Sequence, residues 1–310
     1  MAELNTNSVS ELIDDFFKRN VDGKVKDAIA IRQRIENYIV PAIRKMKVDA
    51  VLPIHISKML DGIIKPSAAN KVLSLSKRIF NHTIKRHAIT HNPASAFDIT
   101  DAGGTMPDRT RFLSEAELVP LFKAMREAKK FTRHHYLTTK LLLLIGCRKN
   151  ELFKAKRDEF DLINATWTMS ADNKTKSAIS IPLSASALAI ITELMQFKLD
   201  SEYLFPGKVS GYVSLGLGYL NLVLGNLETD IEPFVIHDLR RTMRTHLGKL
   251  GVDRFVAERC LNHKIAGMEG IYDAGDYFTE RKAALDKWAM FLESCEAGKA
   301  WNVTPIRKTV

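Results

Sequence analysis

Cysteine is scarce in this sequence, with three residues among 310: Cys147, Cys260 and Cys295. They lie far apart, they are odd in number, and they lack the paired spacing of a tetrahedral zinc site or a disulfide framework. We therefore expect reduced thiols in a reducing compartment and no metal site.

Long apolar runs are also missing. Even the run from Leu141 to Ile145 is far shorter than the roughly 20 residues that span a bilayer. The amino-terminal stretch MAELNTNSVSELIDD is polar and acidic, so it has neither the charged nor the apolar region of a secretory signal. These absences predict a cytoplasmic protein that has no membrane partner.

Positive charge, by contrast, is in excess, with 46 Lys and Arg against 36 Asp and Glu and a formal net charge of +10. A surface of this sign attracts phosphate backbones or acidic membranes by long-range Coulomb force. The charge favours a polyanionic partner. The alternative is a protein that is merely basic and whose charge indicates no such partner.

The first hundred residues have helical periodicity throughout, which predicts an α-helical bundle. In the segment SAANKVLSLSKRIFNHTIKRH, an apolar stripe is accompanied by Lys71, Arg78 and Lys85, which recur every seven residues and share another face. This basic face is a candidate contact to a DNA backbone. A solvated charged face is the alternative.

The stretch SAFDITDAGGTMPDRTR has little periodicity and is typical of an exposed linker. After it, SEAE at Ser114 is a capping box that opens a helix. The predicted organisation is a helical domain over 1–102, a linker over 103–112, a second domain over 113–292 and a tail over 293–310.

The second domain is predicted to be helical with one β-hairpin. DLINATWTMS and SAISIPLS have the composition of two strands, and ADNKTK is the turn between them. KLLLLIG predicts a buried helix that ends at Gly146, and further helices are expected near 185–199, 238–250, 254–262 and 278–296. The fold class is therefore mainly α with a small β-hairpin, or α+β.

Five short motifs follow one another along this domain: GCRKNE, NKTKSAISIPLS, HDLRRT, LNHK and IYDAGDY. They carry Arg148 and Glu151, Lys174, His237 and Arg240, His263, and Tyr272. The first arginine follows a buried helix, and Tyr272 comes nine residues after His263. In this order and spacing the chain resembles the tyrosine recombinase, or phage integrase, family over about residues 108–292.

The resemblance implies a core-binding domain and a catalytic domain that together form a clamp on DNA. It implies that Arg148 and Arg240 hold the non-bridging oxygens of a phosphodiester through charge-assisted hydrogen bonds. His263 would donate a hydrogen bond to one of these oxygens, and Glu151 would support Arg148. Arginines deliver this charge without a metal ion, so no metal or other cofactor is expected.

Tyr272 is the nucleophile that the resemblance implies. Because its phenol is largely protonated at neutral pH, it needs a proton acceptor, and His237 is the candidate. Lys174 is the candidate acid for the departing 5′ oxygen, and Lys176 is close enough to be an alternative. Tyr277 is a rival nucleophile, but its interval from His263 does not match.

The implied function is a site-specific DNA recombinase of integrase or excisionase type, working through a 3′-phosphotyrosine intermediate. Its expected partners are double-stranded recombination sites, other protomers in a synaptic tetramer, and accessory DNA-bending proteins. One alternative is a DNA-binding regulator of the same fold that does not cleave, and another is a nicking-closing enzyme with type IB topoisomerase chemistry. LNH replaces the commoner LGH before His263. Because the sequence in front of the helical domain is short, we expect no separate arm-binding domain there.

Overall fold

The structure, a computed structural model, describes residues 8–25, 27–86, 89–169, 178–197, 201–205, 216–263, 276–299 and 301. The chain divides into two compact units, Met1–Arg109 and Thr110–Val310. Helices dominate both, and the strands described form a three-stranded sheet. The predicted class, mainly α with a small β element, is confirmed.

The N-terminal unit is a helical bundle. Its α-helices are α1 Val9–Asn20, α2 Ala28–Arg34, α3 Val40–Ile43, α4 Pro53–Asp61 and α5 Pro66–Ile84, with a π turn at Ile35–Ile39 and a 3₁₀ turn at Val48–Ala50. A capping box between Ser8 and Glu11 starts α1. The π turn lies just before Pro41, whose missing N–H interrupts a regular ladder.

The longest helix of this unit, α5, has two contrasting faces. Val72 and Ile79 are buried in the bundle core. Lys71, Arg78 and Lys85 are exposed. The helix therefore presents its basic residues to solvent while its apolar stripe holds it in the bundle.

The C-terminal unit contains the helices and strands that follow residue 110. Its α-helices are α6 Glu115–Glu127, α7 Arg133–Ile145, α8 Lys149–Phe153, α9 Ala185–Gln196, α10 Gly216–Gly225, α11 Ile236–Lys249, α12 Arg254–Cys260 and α13 Phe278–Glu296. The core surrounds α7, whose residues 141–145 are all buried. Trp288 of α13 is fully buried and donates from Nε1 to the carbonyl oxygen of Leu143 at 2.8 Å.

The small sheet differs from the hairpin that the sequence predicted. Strands β1 Phe160–Asp161, β2 Thr166–Met169 and β3 Ile179–Pro182 are antiparallel in the order β1-β2-β3, with Trp167 opposite Ile181. The first predicted strand, 161–170, was thus wrong in part. The Asp161 carboxylate accepts the backbone N–H groups of Ile163 and Asn164 and folds this segment into a turn. The predicted turn ADNKTK lies outside the described residues.

No helix among the described residues is long and apolar enough to cross a bilayer.

Candidate active site

The first predicted arginine follows directly on the end of α7. Gly146 ends that helix with φ +62°, and a Cβ added there would lie 2.2 Å from Sδ of Met243. Glycine therefore suits both the left-handed conformation and the close approach of α11. This turn brings the chain to Arg148, which precedes α8.

Glu151 holds Arg148 in place by two hydrogen bonds. The backbone N–H of Arg148 donates to Oε2 at 2.8 Å, and its Nη1 donates to Oε1 at 2.7 Å. The Glu151 side chain is 7% exposed and that of Arg148 is 23% exposed. The carboxylate of Glu151 thus orients the guanidinium of Arg148, and part of the Arg148 side chain remains exposed to solvent.

The second arginine, Arg240, is buried in α11 and connects segments that are distant in the chain. Its Nη1 donates to the carbonyl oxygen of Gly146 at 2.6 Å, and its Nη2 donates to that of Leu261. Burial, together with the nearby charge of Arg148, lowers the pKa of Arg240 to about 10. The group therefore keeps its charge at neutral pH.

The replacement of LGH by LNH is accommodated by the backbone. Asn262 has φ +51°, in the left-handed region that glycine favours and that asparagine tolerates better than most residues. The next backbone N–H, that of His263, donates to the carbonyl oxygen of Glu258 at 3.1 Å. The turn therefore forms with asparagine, and it directs the imidazole toward α11.

His263 lies between a carboxylate and a guanidinium. Its Nε2 is 2.7 Å from Nη2 of Arg240, and its Nδ1 is 2.6 Å from Oε2 of Glu258. The donor role that the family resemblance implies would need a proton on Nε2, whereas in this structure Nε2 faces the arginine N–H.

His237 lies in the first turn of α11, three residues before Arg240, and much of its surface is exposed while the rest is covered by neighbouring groups. Its pKa lies below the ordinary value because of partial burial and then because of the charges of Arg241 and Arg240. The imidazole is therefore mainly neutral at pH 7, which is the form that can accept a proton.

Arg148, His237, Arg240 and His263 form what we call the cationic cluster. Burial is the largest cause that lowers the pKa of each of the other three, and the charge of Arg148 lowers it further. The guanidinium groups of Arg148 and Arg240 repel each other, and a bound anion relieves that repulsion. Planar, donor-only guanidinium groups match the oxygens of a phosphate. The cluster is thus suited to hold a phosphate group.

Three predicted residues, Lys174, Tyr272 and the alternative Lys176, lie outside the described residues. The rival Tyr277 is described: it has φ +50°, is half-buried, and its carbonyl oxygen accepts from the backbone N–H of Arg281 at 2.8 Å.

Sequence reasoning missed two polar residues beside the cluster, Glu258 and Arg244. Arg244 Nε donates to Glu258 Oε1 at 2.8 Å. Arg244 follows Arg240 by one helical turn, a spacing that could have indicated it, whereas Glu258 has no local signal. Among the residues that the structure describes, no group of three or more His, Cys, Asp and Glu side chains is placed to hold a metal ion.

Fold and cluster together define a two-unit helical protein whose C-terminal unit carries a cluster of arginine and histidine side chains suited to an anion. Residues 111–277 match the model of the phage integrase family, and residues 9–99 match that of the phage integrase central domain. The chain therefore belongs to the phage integrase family, the tyrosine recombinases, as its motifs predicted.

Among curated proteins, the integrase of Enterobacteria phage P4 is 26% identical over 84% of this chain. The chain spans 63% of the length of that relative, which is less than two thirds. Prophage integrase IntZ of Escherichia coli K12 is 23% identical over 95% of this chain and 73% of its own length.

Solved structures have the same fold. A lambda integrase tetramer bound to a Holliday junction has a TM-score of 0.69 at 19% identity, covering 85% of this chain and 80% of the other. The Tn1549 transposon integrase in complex with a circular intermediate DNA has a TM-score of 0.65 at 17% identity, covering 90% and 99%.

Proposed function

We propose that this chain is a site-specific recombinase that cuts and rejoins double-stranded DNA through Tyr272. The observation that carries the proposal is the cationic cluster. Two arginines and two histidines from three separate stretches of chain converge there, and Arg148 and Arg240 are each fixed by hydrogen bonds. Family membership supports the same chemistry.

In this proposal Arg148 and Arg240 bind the two non-bridging oxygens of the phosphate that is cut. Attack on phosphorus places more negative charge on those oxygens in the five-coordinate transition state, so a fixed positive pair stabilises the transition state more than the substrate. Arg240 stays protonated because its pKa of about 10 is well above neutral pH.

The phenol oxygen of Tyr272 attacks phosphorus, and its proton passes to the neutral imidazole of His237. The bond from phosphorus to the 5′ oxygen breaks, and that oxygen takes a proton from Lys174 or Lys176. The product is a 3′-phosphotyrosine and a free 5′ hydroxyl. A 5′ hydroxyl of another strand can reverse the attack, so rejoining needs no nucleotide.

The N-terminal unit is proposed to bind the DNA backbone through α5. Lys71, Arg78 and Lys85 are exposed, and Arg34, Lys71 and Arg78 contribute to the lining of one surface groove. Such contacts release counterions and position the protein without reading the sequence.

Strand exchange joins two duplexes, so we propose that the chain works as a tetramer on paired recombination sites. Accessory DNA-bending proteins are proposed as further partners. Because the proposed substrate is the DNA of the cell, the cytoplasm is the proposed place of action.

The experiment uses a duplex from the DNA that flanks the gene, nicked near the cleavage position so that the cut end diffuses away and the covalent intermediate accumulates. Wild-type protein is expected to form a covalent adduct that resists denaturation. Tyr272→Phe should abolish the adduct, and the matched control Tyr277→Phe should retain it.

Two intact sites on plasmids distinguish the remaining outcomes. Recombinant product supports the proposal. Plasmid relaxation without recombinants would indicate a nicking-closing enzyme, and DNA binding without any adduct would indicate a regulator, so either result overturns it.

A further inference from the structure

Glu258, on α12, contacts Arg244 of α11 directly and is connected to Arg240 of the same helix through the imidazole of His263. Its Oε1 accepts from Arg244 Nε at 2.8 Å, and its Oε2 lies 2.6 Å from Nδ1 of His263. His263 Nε2 lies 2.7 Å from Nη2 of Arg240, one helical turn before Arg244. The four side chains are therefore connected in the order Arg244, Glu258, His263 and Arg240 by three hydrogen bonds.

The position of the imidazole proton follows from the chemistry of the neighbours. A guanidinium has only donors, so Nε2 of His263 must accept from Arg240. A carboxylate has only acceptors, so Nδ1 must carry the proton and donate it to Glu258. The opposite tautomer would set N–H against N–H at Arg240 and lone pair against carboxylate at Glu258. Glu258 thus selects the Nδ1–H tautomer.

The charge state of His263 agrees with this geometry. Burial lowers the pKa of His263, and the charges of Arg240 and Arg148 lower it further, while Glu258 acts in the opposite direction. The imidazole is therefore mainly neutral at pH 7. The Glu258 pKa is itself below its ordinary value: burial raises it, but the hydrogen bonds from His263 and Arg244 outweigh that effect.

We propose that Glu258 is a positioning residue of the cationic cluster: it holds His263 in the Nδ1–H tautomer, and the Nε2 lone pair of His263 then fixes the guanidinium of Arg240. The catalytic consequence rests on the proposed function, whereas the tautomer does not.

The hydrogen bonds of Arg240 fix the plane of its guanidinium. One Nη1 hydrogen is directed to Gly146, and the Nη2 hydrogens are directed to Leu261 and His263. Within the described part of the chain, these bonds leave the other Nη1 hydrogen and the Nε hydrogen for a ligand. A guanidinium fixed in this way needs no reorientation when charge develops in the transition state.

A purely structural role for Glu258 leads to a different expectation. If the carboxylate only joined α12 to α11 through Arg244, every variant that keeps the fold would keep the activity. The geometry instead predicts that activity depends on an oxygen that accepts the Nδ1–H of His263, and that it depends less on the negative charge of Glu258. Glu258→Gln keeps an acceptor oxygen, whereas Glu258→Leu removes it.

The first experiment is nitrogen NMR of the DNA-free protein labelled with ¹⁵N-histidine, with His263→Gln to assign the signals. At neutral pH we expect Nδ1 of His263 to be protonated and Nε2 to have the shift of an unprotonated nitrogen. Protonation at Nε2 in the unaltered protein would overturn the proposal, whether or not any variant folds. In Glu258→Leu the Nδ1–H preference should be lost.

The second experiment measures the rate of covalent adduct formation on the nicked duplex at saturating protein. Glu258→Leu should be slower by at least about tenfold, as for the loss of a partner that orients a histidine ligand. Glu258→Gln should stay within about threefold of wild type, since a neutral hydrogen bond replaces a charged one. Glu193→Leu, which removes the ion pair with Arg133, is the matched control and should not change the rate.

The results separate the two proposals. Equal rates for wild type and a folded Glu258→Leu, as judged by thermal unfolding, would refute the positioning role. If wild type forms no adduct, the proposed function fails, and the NMR measurement still decides the tautomer.

Discussion

Arg281 of α13 donates from Nη2 to the carbonyl oxygen of Ser180 in β3 at 2.9 Å, and the same nitrogen lies 2.7 Å from the Asp276 carboxylate. The arginine is 1% exposed, whereas the Asp276 side chain is 60% exposed. The C-terminal helix is therefore joined to the small sheet by a buried cation whose counterion lies at the surface.

Replacing Arg281 by methionine should destabilise the C-terminal unit. It leaves the Ser180 carbonyl oxygen without this donor, which costs about 1–3 kcal/mol of unfolding free energy. Urea unfolding measures the effect. Lys282→Met is the control, because its ion pair with Asp286 is exposed and should contribute no more than about 0.5 kcal/mol. Similar losses in both variants would contradict a special role for Arg281.

Gly146→Ala should destabilise the protein more than Gly251→Ala. Both glycines have positive φ, +62° and +76°, so alanine costs about 1–2 kcal/mol at either position. Only at position 146 does the added Cβ also meet Met243, which adds about 1–3 kcal/mol of overpacking. Thermal and urea unfolding should therefore differ between the two variants, and equal losses would refute the steric argument.

Glu151→Ala should slow adduct formation by roughly 10–100-fold, by analogy with the loss of a partner that orients a metal ligand. DNA affinity, measured by electrophoretic mobility shift, should change little because Arg148 keeps its charge. Glu202→Ala removes the exposed ion pair with Lys156 and serves as the control. A normal rate in Glu151→Ala would show that Arg148 needs no such support.

Adduct formation should fall as pH drops through the pKa of His237, because only the neutral imidazole accepts the tyrosine proton. Burial and then the charges of Arg241 and Arg240 hold this pKa below its ordinary value. Arg241→Gln removes one of these charges, so it should raise the pKa and move the falling limb of the pH–rate profile to higher pH. Arg254→Gln, on α12, should leave the profile in place. A shift to lower pH in Arg241→Gln would contradict the assignment.

Lys71→Ala and Arg78→Ala should each weaken DNA binding to a similar extent on target and unrelated duplexes. A lost phosphate contact reduces the slope of log affinity against log salt by about 1. Lys58→Ala on α4 removes an exposed lysine from a different helix and is the comparison. A loss confined to the target sequence would point to base contacts instead.

The fold class and the family could be predicted from sequence because their signals are local. Helical periodicity predicted α5, and the capping box at Ser114 predicted the start of α6. Each of the short motifs around Arg148 and Arg240 is one contiguous stretch of sequence. The turn between β1 and β2 was missed because DLINATWTMS as a whole has the composition of a strand. The Asp161 side chain, which accepts from the next backbone N–H groups, and Ala165, which has φ +49°, reverse the chain there.

The hydrogen bonds that hold the site residues in place could not be predicted from sequence, because they depend on long-range contacts. Arg240 bonds to a carbonyl group 94 residues earlier in the chain, and backbone carbonyl groups have no signature in a sequence. The bond between Glu258 and His263 is closer in sequence, but it depends on the left-handed conformation of Asn262, which a residue type permits without requiring.

The bonds from Arg240 to Gly146 and Leu261 make the orientation of its guanidinium depend on tertiary packing. A partly unfolded chain, in which α7, α11 and the turn after α12 are not packed together, is expected to lack this fixed orientation. We therefore expect the proposed DNA cleavage to require the complete tertiary structure of the C-terminal unit, and partly folded copies to leave DNA intact.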